Sequence, residues 1–305
     1  MLKRWFVPLI AVAALAGCGV GPVGQTLNNS LSTSVFGASS VGGHGLGFKF
    51  SAGRPMNPYQ PDVYMGASLP SQVDLRSQDS PISDQGQLGA CTAFAMGRGL
   101  RQFDELKEAR MYAQQSPFGG FYNVPVQAAA SFTELSPLWF YYAERVADGS
   151  DVSQDTGSTL TTGMNVLTSQ GIPPEADWPY DITKFSQKPP AQAYQDASEF
   201  KLSSKTPLNT LDDIKATVAS GWPVVFGFQV YDNFMGIGSD GMMPMPTASN
   251  YVEGGHAVMV LGYDDARQVL IIRNSWGASW GDHGYFYMPY AYVTPSNVSD
   301  IWTGK

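Results

Sequence analysis

The spacing of apolar residues along this chain changes near residue 220. Before that point they recur at helical intervals. Phe94, Leu100, Phe103 and Leu106 do so after a run of small residues. Leu138, Phe140 to Tyr142 and Val146 do so after Pro137, and Leu211, Ile214 and Val218 after Thr210. Helices are predicted over 91–112, from Pro137 onward, over 159–169 and over 211–220. Pro137 suits a first helical turn and Thr210 an N-cap, and Gly171 and Gly221 close the last two helices. Pro173 and Pro174 block any continuation past Gly171. Beyond residue 220, apolar runs bounded by turn residues predict strands over 223–230, 259–263, 269–273 and 285–288. Loops are expected at 117–127, 148–156 and 236–251. A helix-rich part followed by a strand-rich part implies an α+β fold of two lobes with a cleft between them.

The N-terminus follows neither period. Lys3 and Arg4 precede an uncharged apolar stretch over 5–16. That stretch is shorter than the ~20 residues needed to span a bilayer. It ends in Leu15-Ala16-Gly17-Cys18, which resembles a bacterial lipobox. The expectation is a lipoprotein signal peptide over 1–17, with Cys18 lipidated as the first residue of the mature chain. An ordinary secretory signal is the alternative. Residues 18–68 are rich in Gly, Ser, Asn and Pro and read as a flexible tether with a coil span of about 35–40 Å. A globular domain is expected over 69–305. This places the protein in a bacterial cell envelope, at the outer membrane or periplasmic face, bound to the membrane by its lipid. His44 lies in the tether with no flanking ligand residues.

Composition narrows the chemistry. The 305 residues are 43% hydrophobic, enough for a substantial core, and the formal net charge is −8. Without a basic patch, nucleic acid is not an expected partner. No cluster of metal ligands, phosphate loop or dinucleotide fingerprint is visible, so neither a metal nor a cofactor is expected. There are two cysteines. If Cys18 carries lipid, Cys91 has no intramolecular partner, and an exported protein rarely keeps a free thiol without a use for it. Cys91 opens a predicted helix, where backbone N–H groups and the helix dipole favour a thiolate. Taken alone, it reads first as a buried small hydrophobe.

Three runs carry a family resemblance: Gln85-Gly86-Gln87-Leu88-Gly89-Ala90-Cys91-Thr92-Ala93-Phe94, then Gly254-Gly255-His256-Ala257, then Asn274-Ser275-Trp276-Gly277-Ala278-Ser279-Trp280-Gly281. Over about 69–290 the chain resembles the papain-like cysteine peptidases, and residues 69–76 resemble the start of their mature domain. The resemblance implies a Cys-His-Asn thiolate mechanism acting on protein or peptide substrates. Cys91 would be the nucleophile, His256 its base, Asn274 the residue orienting His256, and Gln85 an oxyanion donor. Trp276 would cover the Asn–His hydrogen bond, and Trp276 and Trp280 would line the leaving-group side. Gly157 and Ser158 lie where relatives bind an extended substrate backbone. Leu88 stands where many relatives have a disulfide cysteine, and Thr92 replaces an aromatic residue, which is expected to widen or rewet the cleft floor. His283 reads as a surface-loop residue. The long helical pro-segment common in relatives is not recognisable, so either no inhibitory segment exists or 48–64 does that work. The expected function is a membrane-tethered monomeric endopeptidase. A silent binding module with its cleft blocked by 48–68, or a cell-wall peptide amidase, are the alternatives.

Overall fold

The computed structural model describes residues 39–50, 68–115 and 132–305, and for 112–115 only the backbone. The signal peptide, Cys18, most of the tether and the predicted loop at 117–127 lie outside the described residues.

The first described element departs from the tether expectation. Residues 39–50 form a small hairpin, β1 (Ser39–Val41) and β2 (His44–Leu46), with a continuing strand-like segment. Gly42 and Gly43 turn it with φ of +56° and +84°, the double positive-φ turn whose twist matches paired strands. Val41, Leu46 and Phe48 are buried, so apolar burial binds this stretch to the body.

β3 (Gln72–Asp74) comes next. One continuous helix then follows in three parts: α1 (Cys91–Ala93), a π-helical stretch (Phe94–Arg101) and α2 (Gln102–Gln115). α3 (Pro137–Ala147) starts at the Ser136 N-cap, whose hydroxyl accepts the Trp139 N–H at 3.2 Å. Its residues 137–145 are all buried, a wider buried face than expected that includes the charged Glu144 and Arg145, whereas Val146 is 54% exposed on the final turn. α4 (Leu160–Ser169) is capped by Thr159. α5 (Ala191–Asp196) and β4 (Lys205–Leu208) were not anticipated. α6 (Leu211–Ala219) opens with a reciprocal box: the Thr210 hydroxyl accepts the Asp213 N–H at 3.0 Å, and the Asp213 carboxylate accepts the Thr210 N–H at 2.9 Å.

In the second part β5 (Val224–Tyr231), β6 (Val252–Asp264), β7 (Val269–Arg273), β8 (Tyr285–Pro289) and β9 (Val298–Gly304) join β3 and β4 in a seven-stranded antiparallel sheet. The order is β4-β9-β5-β6-β7-β8, with β3 joined to β6. The π-helical stretch packs on β6 on one side and on α3 and α4 on the other. It therefore forms the seam between a helical lobe and the sheet. One apolar cluster runs through both, from Phe103, Trp139 and Phe140 to Phe226, Phe228 and Phe286.

Candidate active site

The helix–sheet seam brings the predicted residues together. Cys91 is the first residue of the central helix and is fully buried and free. The backbone amide of Ala257, the residue after His256, hydrogen-bonds its sulfur. His256 lies inside β6, opposite Phe228 of β5, because the strand begins at Val252 rather than at the predicted residue 259. β7 runs antiparallel to β6 with Arg273 opposite Met259, which carries Asn274 to the level of the 256–258 run. There the Asn274 amide oxygen lies 2.8 Å from His256 Nε2. The oxygen can only accept, so Nε2 holds the proton and Nδ1, which has no hydrogen-bond partner, is left as the free ring nitrogen. The Trp276 indole lies against the imidazole at 4.9 Å between ring centres, and Trp280 meets Trp276 edge-on at 5.2 Å.

Gln85 is fully buried. Its amide oxygen accepts the Ser275 hydroxyl at 2.6 Å, and its Nε2 donates to the carbonyls of Leu88 and Gly45, both at 2.9 Å. Ser275 thus fixes which end of the amide faces the cleft. It stood unassigned inside the Asn-Ser-Trp-Gly run, although a hydroxyl beside a functional asparagine is a usable signal.

The cleft is filled by the chain's own residues 44–49. The His44 ring stacks on Trp276 (4.7 Å, 9° between planes), with its Nδ1 3.8 Å from an Asp84 oxygen. Gly45 donates its N–H to the Gly86 carbonyl at 3.2 Å. The Gly47 carbonyl accepts the Ser158 N–H at 2.9 Å, and the Lys49 N–H donates to the Ser158 carbonyl at 2.8 Å. The Phe48 N–H donates to the Gly255 carbonyl at 3.1 Å. The strap therefore bonds to the helical lobe through Ser158 and to the sheet through the residue before His256. Phe48 is buried over Gly227, where a Cβ would come within 2.0 Å of its ring. The passage is too narrow for side chains at its centre: a Cβ on Gly47 would lie 1.7 Å from the Gly89 carbonyl oxygen. The run Gly42-Gly43-His44-Gly45-Leu46-Gly47 carried that signal as closely spaced glycines, which the tether reading absorbed.

Burial sets the electrostatics. It pushes the Cys91 thiol up to about 12, opposed by the backbone N–H groups of Ala257, Gly47 and Thr92. It holds His256 down at about 4, opposed by the Asn274 hydrogen bond. Under the strap the two groups are a neutral thiol and a neutral imidazole. Thr92 does not rewet the cleft floor: it is fully buried and donates its hydroxyl to Glu144, whose carboxyl burial holds well above the usual carboxylate range. His283 is exposed on a loop, as expected. No group of metal-binding side chains occurs among the described residues.

A sequence model described as papain family cysteine protease matches residues 148–300. An uncharacterized peptidase C1-like protein of Acanthamoeba polyphaga mimivirus is 36% identical, over 72% of this chain and 68% of its own length. Cysteine proteinase 2 of Entamoeba histolytica is 25% identical over 74% of this chain and 65% of its own. The chain thus spans about two thirds of the length of these relatives. Among solved structures, xylellain, a cysteine protease from Xylella fastidiosa, is 34% identical with a TM-score of 0.71, over 86% of this chain and 96% of that one. Procathepsin L 3 of Tenebrio molitor shares the fold at 20% identity and a TM-score of 0.57. This chain, with its α+β two-lobe fold, belongs to the papain family of cysteine proteases and is a cysteine-type peptidase.

Proposed function

We propose that the protein is a latent, membrane-tethered endopeptidase that cuts peptide bonds through Cys91, His256, Asn274 and Gln85 and is held inactive by its strap, residues 44–49. The observation that carries this reading is a complete set of reacting groups in a cleft already occupied by the chain itself.

Once the strap leaves, water returns to the thiol and imidazole, and the desolvation that keeps both neutral falls away. The Cys91 proton passes to His256 Nδ1, giving a thiolate–imidazolium pair. The thiolate adds to the substrate carbonyl, and the oxyanion is met by the Gln85 amide and the Cys91 backbone N–H. The Gly45 carbonyl, now bonded to Gln85 Nε2, stands in for that oxygen. The imidazolium protonates the departing amine as the C–N bond breaks. A water deprotonated by His256 then opens the thioester, returning free thiol and acid. Asn274 keeps the ring proton on Nε2 throughout. Trp276 and Trp280 wall the leaving-group side, and Gly157 and Ser158 hold the substrate backbone.

The strap direction supports latency. A substrate would run from the Ser158 strip toward Trp276, whereas the strap enters at Trp276 through His44 and leaves along Ser158 through Lys49. A reversed peptide presents its nitrogen on the wrong side of each carbonyl, so the leaving amine does not face the imidazole. Lipid attachment at Cys18 and an envelope location complete the proposal. Among the described residues no helix is long and apolar enough to cross a membrane.

The test is covalent titration of the full chain with a peptidyl epoxide, beside casein cleavage and a Cys91→Ala control. Labelling and cleavage that rise together when the strap is displaced support the reading. A strap-displaced chain that neither labels nor cleaves leaves a silent binding module. Labelling and wall-peptide cleavage without casein cleavage would indicate the amidase.

A further inference from the structure

Asp155 is a buried carboxyl that the chemistry above does not use. It is 1% exposed and joins two walls of the cleft. One oxygen accepts the Gly89 N–H at 3.0 Å, and the other accepts the Tyr141 hydroxyl. The Tyr141 oxygen in turn accepts the Gly157 N–H at 2.9 Å. Gly89 belongs to the 85–90 loop, in which the Leu88 carbonyl holds Gln85 Nε2. Gly157 precedes Ser158, whose N–H and carbonyl both bond the peptide lying in the cleft. The oxyanion loop and the backbone-binding strip are thus linked by Gly89–Asp155–Tyr141–Gly157.

The carboxylate is the right species for this place. It accepts from two donors, one on each oxygen, which a neutral amide cannot do without turning an N–H toward one of them. Desolvation opposes the charge and raises the Asp155 carboxyl, while Tyr141, the Gly89 N–H and Arg145 oppose the rise. The Arg145 guanidinium lies 4.1 Å from the Tyr141 ring centre and donates to the Val152 and Gln154 carbonyls at 2.9 and 2.8 Å, pinning the turn that carries Asp155. No disulfide braces this lobe: Cys91 is the only cysteine among the described residues, and it is free.

We propose that Asp155 and Tyr141 are positioning residues that hold the Gln85 loop in register with the Gly157–Ser158 strip, so that one peptide is gripped along its backbone and at its reacting carbonyl together. This rests on the peptidase reading. Tyr141→Phe frees the Gly157 N–H but keeps the Gly89 tie, so it should raise KM with a smaller fall in kcat. Asp155→Asn disturbs both ties and should lower kcat and raise KM, with kcat/KM down tenfold to a hundredfold. The double variant should lose little more than Asp155→Asn alone, because the two act as one link.

The experiment measures kcat and KM on a fluorogenic peptide for the full chain, in native and Gly47→Ala forms, normalised to active sites by epoxide titration. The predicted split, with non-additive losses per titrated site, supports the assignment. Losses explained wholly by fewer titratable sites, with native kcat and KM in the remainder, would overturn it as mere structural support. Unchanged kinetics in Asp155→Asn would also overturn it. A parent chain that labels and cleaves in neither form would instead remove the peptidase reading, and this assignment with it.

Discussion

Replacing Gly47 by alanine should unseat the strap, and the size of the effect follows from its surroundings. The new Cβ would start 1.7 Å from the Gly89 carbonyl oxygen, with the Gly89 carbonyl carbon and Cα at 2.4 and 2.7 Å. All three are backbone atoms of the loop that carries Gln85, so the strap must yield. Regaining a 3.0 Å contact takes a shift of about 1.3 Å. That breaks the bonds from Ser158 to the Gly47 carbonyl, from Lys49 to the Ser158 carbonyl and from Phe48 to the Gly255 carbonyl. At about 0.5–1.5 kcal/mol each, their loss weakens the closed state by ~2–4 kcal/mol. Alanine also stiffens the released chain, which opposes opening by only about 0.4–1 kcal/mol. With each 1.4 kcal/mol worth a factor of ten, the open fraction should rise about tenfold to several hundredfold. The assay is the second-order rate of Cys91 labelling at low epoxide concentration, beside casein cleavage. A folded Gly47→Ala chain that labels at the native rate would refute the claim that the strap controls access.

Acid should also loosen the strap. Burial lowers His44, with Asp84 opposing, so its imidazole returns toward ~6.5 on uncovering, whereas Cys91 and His256 hold one proton between them both as the covered neutral pair and as the opened thiolate–imidazolium pair. Release then takes up protons, and the strap is held less tightly as pH falls from about 6.5 toward 4. Under the strap Cys91 is held at about 12, and the opened pair gives up its shared proton at lower pH, so release is favoured again on the alkaline side and latency should peak near pH 7–8. Labelling rates corrected for intrinsic thiol reactivity should pass through a minimum there, and a monotonic profile would contradict the argument. Gln85→Ala should lower kcat by ~10²–10³ with a smaller change in KM, read by steady-state kinetics on the opened chain. Cys18→Ser should abolish incorporation of labelled fatty acid and shift the protein to the soluble fraction in a bacterial host. Equal labelling of the variant would remove the tether.

Much of the site could be read from the chain because its parts are short contiguous runs. The helix at Cys91, the strand after His256 and the asparagine after Arg273 each carry their own local pattern. β7 falls on the predicted residues because Val269 to Ile272 is an unbroken apolar run, and the strand is buried throughout, Arg273 included. β9 was missed because Ser299, Asp300 and Thr303 interrupt its apolar residues, and a positive φ of +54° at Asp300 breaks its alternation. β4 was missed because Pro207 argues against a strand unless it lies on an edge, where this one does. The strap was illegible for a different reason. A glycine-rich run looks the same whether it needs freedom or needs to fit beneath another backbone, and only the walls on either side tell them apart. The Asp155 link likewise needs the Gly89 loop, 66 residues earlier, to meet the 155–157 turn.

The strap's bonds to Ser158 on one lobe and Gly255 on the other have a further consequence. A segment that grips both halves of a cleft acts as a tightly held internal ligand, and a ligand confined to the native state adds its binding free energy to that state's stability. Uncovering the cleft therefore removes a brace at the moment it grants access. The armed enzyme is the more fragile form, more open to unfolding and to attack by its own kind, so arming the molecule also starts its clock.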